Sequence, residues 1–517
     1  MAKKNATKQD NKNSCFVVTR RILVTSFQSR KIDKEMDAAN RLYNMGVSHY
    51  RDIVNTMMHE PDFLYLLKKY HQWWNNHPDA ERGNPYQSEI SLWISSLELN
   101  EYDLQRWFGE TAKKSFSKCI NSAIVQKLAT NLFSSIKKVI FSSGRSIHYR
   151  KYGETNSLEG KSNTTGIIYD EDTDKVTFSK MEMTLKPVRE SDHYLQEAMR
   201  DGKVKYCRIV RKSFKNGYRY FLQIVMGGSA PKKFTVKEGV TGQDSGISNS
   251  SFVGENYCGF ETLAYGCEKY EKLVKQAAIK YERRRRMANP QNYNEDGTIK
   301  RGVKLVWKRT KGILKALFEL KDAYRKKSEH VKNYNGWLSN QVVRGTSVLR
   351  QEQMDYRALA KRAKGPAERS EKESVVKNKK GEEKKIHKFK RKRRYGRSIL
   401  RRAPGAFDKM VRDKVIRYGG KVELLDPRIT ASSQVDHTTG KRTKIPLSQR
   451  TKIIDGKTVQ RDLYASYLNE FTNKDHVLDI EKCKENFERF LKQQEEVVAK
   501  IRKIGDKTGN FGLADFA

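Results

Sequence analysis

The 517-residue chain is short of acid. Asp and Glu number 61 against 104 Lys and Arg, a formal net charge of +43. Such an imbalance adds nothing to a fold, and its self-repulsion destabilises the compact state. A polyanion compensates it best, and nucleic acid is the polyanion whose phosphates neutralise many cations at once and release counterions. A highly soluble basic protein is the plainer alternative. Paired cysteines are lacking too. Cys15, Cys119, Cys207, Cys258, Cys267 and Cys483 are scattered, and no two have the C-x-x-C spacing of a zinc ribbon or redox site. That spread predicts free thiols in a reducing compartment. No apolar run approaches a membrane span, and the stretch MAKKNATKQDNKNSC has no apolar core for a secretion signal. The expectation is a cytosolic protein, or a nuclear one for a eukaryotic source, with no membrane partner.

What is present changes texture along the chain. CFVVTRRILVTSF, 15–27, predicts strand, and the following segment predicts helices to about residue 141 from apolar residues at three- and four-residue steps. From 142 the pattern is β again. GIIYDEDTDKVTFSKMEMTL predicts a hairpin, and two further strands are joined at the Asn-Gly turn of KNGY. Strand 15–27 and these later strands could form one small barrel interrupted by the helical block. Beyond 236 an α/β segment begins with GVTGQDSGISNSSFV, and a long basic helical stretch follows. RGTSVLRQEQMDYRALAKRAK predicts a strand leading into a helix or loop. GAFDKMVRDKVIRYGGKVELLDP predicts a helix, a double-glycine stop and a buried strand. A polar insert precedes an amphipathic helix at RDLYASYLNEF. Trp73, Trp74, Trp93 and Trp107 are expected to pack in the core of the helical block rather than to stack on bases.

Three carboxylates, Asp244, Glu352 and Asp462, lie about 110 residues apart, each where a strand or loop meets another element. Carboxylates drawn from distant elements can clamp two hard Mg²⁺ ions for phosphodiester hydrolysis, and glycines beside Asp244 would let a phosphate approach the backbone. Each acid also has a plain reading. Asp244 could form a turn, Glu352 could be a helix-start acid with Asp355 as its rival, and Asp462 could answer a helix dipole.

Those stretches, with APGAFDKMVRDKVIRYGGKVELLDPRITASSQ and VQRDLYASYL, occur in the order of the RuvC-like motifs of the TnpB family. That family comprises transposon-encoded, RNA-guided DNA nucleases related to compact type V CRISPR effectors. The resemblance implies a multidomain α+β protein. A β-barrel wedge domain at 1–30 and 142–235 would be split by an α-helical recognition domain at 31–141. An RNase H-like α/β RuvC domain would occupy 236–430 and 461–517, ending in a tail helix, with a small target-nucleic-acid-binding insert at 431–460. The family's D-x-G falls on Asp244-Ser245-Gly246, its Glu on Glu352 and its third acid on Asp462, so these three would hold two Mg²⁺. Guide RNA and target DNA would be the partners, with the oligomeric state open between a monomer and a homodimer on one RNA.

The chain departs from the family in two places. The insert carries no cysteine, only Asp436 and His437, which do not make a tetrahedral zinc site, so no zinc is expected. The strand before Glu352, GTSVLRQ, is polar where an apolar run is usual. Arg450 lies where the family can offer a basic residue to a scissile phosphate, although a surface arginine reads as well. Phosphate tracking is expected from Arg283, Arg284, Arg285 and Arg286, and from Lys388, Lys390, Arg391, Lys392, Arg393, Arg394, Arg397, Arg401 and Arg402, interleaved with Phe389 and Tyr395. The alternatives are a solvated loop or a nuclear localisation signal. A guided DNA binder that does not cut, and an RNA-binding structural protein, remain the competing functions.

Overall fold

The computed structural model describes residues 14–513, apart from 79, 81, 118, 143, 201, 361–368, 378–380, 390–394, 447–448 and 505–510. The chain packs as two compact units. The first is Met1–Ser213 with Gly217–Pro231, and the second is Phe214–Asn216 with Lys232–Ala517.

In the first unit, strand β1 (Cys15–Leu23) gives way to a helix earlier than the β-branched run predicts. Thr25 is the reason. Its hydroxyl accepts from Gln28 N while the Gln28 side chain accepts from Thr25 N, a capping box that starts the helix Ser26–Met57. Further helices run over Pro61–Asn76, Gln87–Ser96, Glu101–Ser115 and Ser122–Phe141. Then come β2 (Ser157–Glu159), β3 (Ile167–Asp170), β4 (Lys175–Phe178), β5 (Met181–Leu185), β6 (Lys203–Phe214) and β7 (Gly217–Gly227). The single predicted hairpin at 166–185 is thus three strands. The Asn-Gly turn holds, with Gly217 at φ +124°, where a side chain would be strained.

The seven strands order as β2-β6-β7-β1-β5-β4-β3. Asn163 spans the gap between the two ends of this sheet. Its backbone N donates to Lys205 O beside β2, while its amide exchanges two bonds with Tyr169 of β3, at 2.9 and 2.8 Å. A side-chain amide thereby replaces a peptide and gives the sheet a nearly closed, barrel-like form. The helical block is not packed apart from it. Val18 and Ile22 of β1, Met36 and Leu42 of the first helix, Leu132, Phe178 and Ile224 share one continuous core. Trp93 and Trp107 pack against that core. Trp73 is only half-buried and instead stacks on His77, with ring centroids 4.4 Å apart.

The second unit is a sheet between two helical layers. Its strands are β8 (Val240–Ser245), β9 (Asn249–Gly254), β10 (Cys258–Thr262), β11 (Val348–Glu352), the hairpin β12–β13 (Arg369–Lys377, Glu383–Phe389), β14 (Lys421–Leu425) and the hairpin β15–β16 (Thr451–Ile454, Lys457–Gln460). The five-stranded order is β10-β9-β8-β11-β14. β8, β9 and β10 are antiparallel, whereas β11 runs parallel to both β8 and β14. Neighbours on β9 point to opposite layers, as strand alternation requires. Phe252 enters a core with Leu338, Val342 and Phe407, from the helices Lys311–Arg344 and Pro404–Arg417. Val253 enters another with Leu463, Tyr467 and Phe490, from the helices Arg461–Phe471 and Ile480–Ile504.

Two local expectations change. β14 is an edge strand in which only Leu425 is buried, so it is not the buried strand its sequence predicts. The Arg461–Phe471 helix is buried nearly all round rather than amphipathic, because the sheet covers one side and the Ile480–Ile504 helix another. No described helix is long and apolar enough to cross a membrane.

Candidate acidic site

Asp244 and Glu352 come together through sheet geometry. In the parallel pair, Arg350 lies opposite Gly242 and Gln351 opposite Gln243, so the next residues, Glu352 at the end of β11 and Asp244 one before the end of β8, share a face. The Arg461–Phe471 helix lies on that face and brings Asp462 in its first turn. A Cβ on Gly242 would sit 2.0 Å from Ser466 O and 2.3 Å from Glu470 N. Only glycine allows the helix backbone so close. Gly246 is as constrained, with Asn249 O at 2.3 Å from its Cβ position. The glycines therefore make room for protein backbone, which corrects the expectation that they leave room for phosphate.

Small hydroxyls fasten the same seam. Ser466 Oγ accepts from Asp244 N at 3.0 Å, and Ser251 Oγ donates to Asp462 O at 2.7 Å. The Asp244 carboxylate itself accepts no hydrogen bond from the described residues. Burial, reinforced by the charges of Glu352 and Asp462, pushes it well above the usual carboxylate range; Arg461 pulls it back. Glu352 is 9% exposed, and burial pushes it up to about 7 against hydrogen bonding from Asn469 and Ser432. Asp355, its rival, is exposed and caps the short helix Tyr356–Ala360 by accepting from Arg357 N and Ala358 N at 3.0 Å each. The acid of this pair that faces Asp244 is Glu352.

Asp462 differs, because it is already paired. Arg450 Nη1 lies 3.1 Å from Oδ2, and the buried Arg461 reaches Oδ1 through Nε at 3.1 Å and Nη2 at 2.9 Å. Gln460 caps the helix, accepting from Asp462 N and Leu463 N at 2.7 Å each. It is held in turn by Gln494 and by the Phe511 carbonyl. Neither Arg461 nor Gln460 was legible as a site residue, since an Arg beside an Asp and a Gln before a helix are common. Among the described residues, no three His, Cys, Asp or Glu side chains are grouped tightly enough to hold one ion.

A divalent cation nonetheless suits the donor set. Asp244 is a carboxylate with no donor, in the field of two further acids, and oxygen-only ligands suit a hard ion such as Mg²⁺. In the insert, His437 is a core residue. Its Nδ1 lies 2.7 Å from the Tyr464 hydroxyl and its ring packs on Phe487. Asp436 is spent on Thr438.

The basic residues divide sharply. Arg402 is 5% exposed and its Nη1 donates to Leu263 O at 2.6 Å, with Glu268 3.1 Å from Nη2. Arg401 pairs with Glu271 and Glu268. Arg402 is therefore a structural cation, a correction to its expected phosphate role, because its donors are consumed inside the fold. Arg285 lies over Trp307 at 3.9 Å, Arg286 over Tyr293 at 5.4 Å, and Arg284 donates to Gly312 O. Arg283 and Arg397 are exposed. Lys390, Arg391, Lys392, Arg393, Arg394 and the side chain of Lys388 lie outside the described residues.

No protein-family model and no curated protein sequence matches the chain. Among solved structures, it aligns with a chain of a Cas12f1–sgRNA–target DNA complex at 12% identity and a TM-score of 0.40, covering 88% of this chain and 98% of that one. A CRISPR-Cas12f ternary complex aligns at 12% identity and a TM-score of 0.23, with coverages of 87% and 98%. A Cas12i–crRNA–dsDNA complex aligns at 11% identity and a TM-score of 0.24, with coverages of 91% and 71%. With scores this low, the functional reading rests on the site rather than on these likenesses.

Proposed function

We propose that the chain is an RNA-guided DNA endonuclease of the TnpB or compact type V kind, cutting with one RuvC-like site. The observation that carries this is the Asp244 carboxylate near the end of β8, with no donor among the described residues, sharing a sheet face with Glu352 beneath the helix that bears Asp462. Ligands of open α/β sheets bind beyond the carboxyl ends of strands, where the chain changes direction across the sheet, and β8 is where antiparallel pairing gives way to parallel. A mixed five-stranded sheet with helices on both faces suits an RNase H-like domain. The net charge of +43 suits guide RNA and target DNA as partners, the molecules found in the aligned Cas12f1 complex. A prokaryotic cytoplasm is the matching location.

Asp244, Glu352 and Asp462 would hold the Mg²⁺ ions, two in the family's scheme. Bound there, Mg²⁺ would supply activation of a water and neutralisation of the leaving 3′-oxygen. Arg450, 37% exposed at its side chain, would turn from Asp462 towards a scissile phosphate. Arg461 is too deeply buried to leave and would keep the Asp462 carboxylate oriented.

Sequencing of the RNA that co-purifies with the chain, followed by a guided cleavage assay in Mg²⁺, tests the reading. D244A is expected to keep RNA binding and lose cleavage; intact cleavage would remove Asp244 from the site. A repeat-derived RNA would indicate a CRISPR effector, and a transposon-end RNA a TnpB nuclease. The second reading is a guided DNA binder without cleavage. The arginine pairing of Asp462 favours it, and guided binding with no cut at saturating Mg²⁺ would establish it.

A further inference from the structure

The polar strand before Glu352 has a partner. Gln351 immediately precedes Glu352, and Gln243 immediately precedes Asp244, so strand alternation points both glutamines to the face opposite the acids. There Gln351 Nε2 donates to Gln243 Oε1 at 2.6 Å, joining β11 to β8 by side chains as well as backbone. Both glutamines are fully buried. Gln243 Nε2 donates to Ser250 Oγ on β9 and to Asp408 Oδ1, each at 3.0 Å. Gln351 Oε1 accepts from Arg412 Nη1 at 2.5 Å, and Asp408 Oδ2 accepts from the Tyr356 hydroxyl at 2.7 Å. Asp408 and Arg412 stand one turn apart on the Pro404–Arg417 helix, and Tyr356 opens the helix that follows Glu352, its ring against Gly405.

We infer that Gln243, Gln351, Asp408 and Tyr356 are positioning residues that fix the separation of Asp244 and Glu352 from behind the sheet. The inference rests on the reading of those two acids as metal ligands. Two acids on adjacent strands repel one another when both are ionised, and no described residue on their own face donates to the Asp244 carboxylate. A one-residue slip between the strands would also send one acid to the wrong face. The amide pair opposes both movements, since shifting either strand breaks a buried hydrogen bond that has no water to replace it. The polar run in GTSVLRQ is thereby accounted for: an apolar residue at 351 would leave the Gln243 carbonyl and Arg412 without this partner.

The test measures Mn²⁺ binding by calorimetry on the full chain with its co-purified RNA, alongside steady-state cleavage. Q351L and Q243L are each expected to weaken Mn²⁺ binding about 10-fold, as loss of a supporting shell commonly does. In both, kcat should fall with little change in KM. Q243L/Q351L should recover part of the loss, because removing both amides leaves no orphaned partner between them. Y356F, which loses one hydrogen bond at the end of the chain, should show a smaller loss in the same direction. If Q351L folds and retains wild-type Mn²⁺ affinity, the proposal is wrong; if Q351L does not fold, unchanged affinity in Y356F overturns it. D244A separates this from the nuclease reading. Should D244A alter neither Mn²⁺ binding nor cleavage, both fall together. Should D244A abolish both while Q351L and Y356F match wild type, the positioning proposal falls alone.

Discussion

The first unit answers its buried charge, whereas the acidic site of the second leaves one carboxylate without a donor among the described residues, even though Arg402 of the same unit is paired. In the first, Arg20 is 5% exposed and fully answered: Asp174 takes two of its donors, and Lys186 O accepts from Nη2 at 2.8 Å. The Tyr169 hydroxyl then donates to Asp174 at 2.9 Å. Arg211 is treated alike, with Asp33, Asn156 and Thr155 around its guanidinium. In the second unit, Asp244 sits near Glu352 and Asp462 with no donor among the described residues. A fold that only needed stability would give that group a hydrogen-bond partner, because leaving a desolvated polar group unpaired costs about 1–3 kcal/mol. Satisfied charge accompanies architecture, and unsatisfied charge accompanies a site kept ready for a ligand.

The largest effect should come from answering the unsatisfied charge. D244N keeps the size of the side chain and removes its charge, so cleavage should fall about 10³-fold, the scale of losing a key electrostatic group. The metal-free protein should meanwhile gain about 1 kcal/mol of stability, read by thermal melting, as relief of active-site strain commonly gives. A pH series sharpens the same contrast. Glu352 is raised to about 7 in the fold from an ordinary 4.5, and Asp244 is raised too. The folded state therefore holds protons that the unfolded state has released. Stability from these groups is present below about 4.5 and is lost as pH rises through about 7. Asp408, raised to about 6, and Glu470, raised to about 7, slope the same way, so the informative quantity is the flatter melting-versus-pH curve of D244N against wild type. Arg461 opposes the rise at Asp244 and is present in both proteins.

Breaking a satisfied pair should do the reverse. D174A leaves the buried Arg20 with Lys186 O as its remaining partner. The loss should be about 2 kcal/mol in chemical denaturation, below the usual cost for a fully buried pair because Asp174 is itself partly exposed. Cleavage per folded molecule should not change. The smallest effects separate two arginines that look alike in sequence. R283A, at an exposed position, should lower RNA affinity a few-fold and reduce the salt slope by about 1 without moving the melting temperature. R402A should lower the melting temperature and leave RNA affinity per folded molecule unchanged, since its donors serve Leu263 and Glu268.

Much of the local structure was legible. The Asn-Gly turn, the strand-then-helix at Glu352 and the double-glycine stop at Gly419-Gly420 all depend on neighbours in the chain, and all form as the sequence predicts. The expected strand end at residue 27 failed because a capping box in Thr25–Gln28 outweighs the preceding β-branched run. The arginine runs misled for a different reason. Arg402 and Arg397 share a composition window, but only packing decides which guanidinium is enclosed.

By itself, the sequence determined the charge excess, the absence of cysteine pairs and the order in which Asp244, Glu352 and Asp462 follow their strands and helix, since these are properties of residues and their near neighbours. Only the tertiary structure decided what surrounds them. It turned Gly242 into the seat of the Arg461–Phe471 helix, gave Asp462 to Arg461 and Arg450, and backed Asp244 and Glu352 with Gln243, Gln351 and Asp408. Arg461 and Arg450 are near Asp462 in the chain, but the other partners lie some 60 to 220 residues apart and meet because a parallel strand pair and two helical layers place them within hydrogen-bond reach. A carboxylate's role depends on that company, and a linear pattern does not record it.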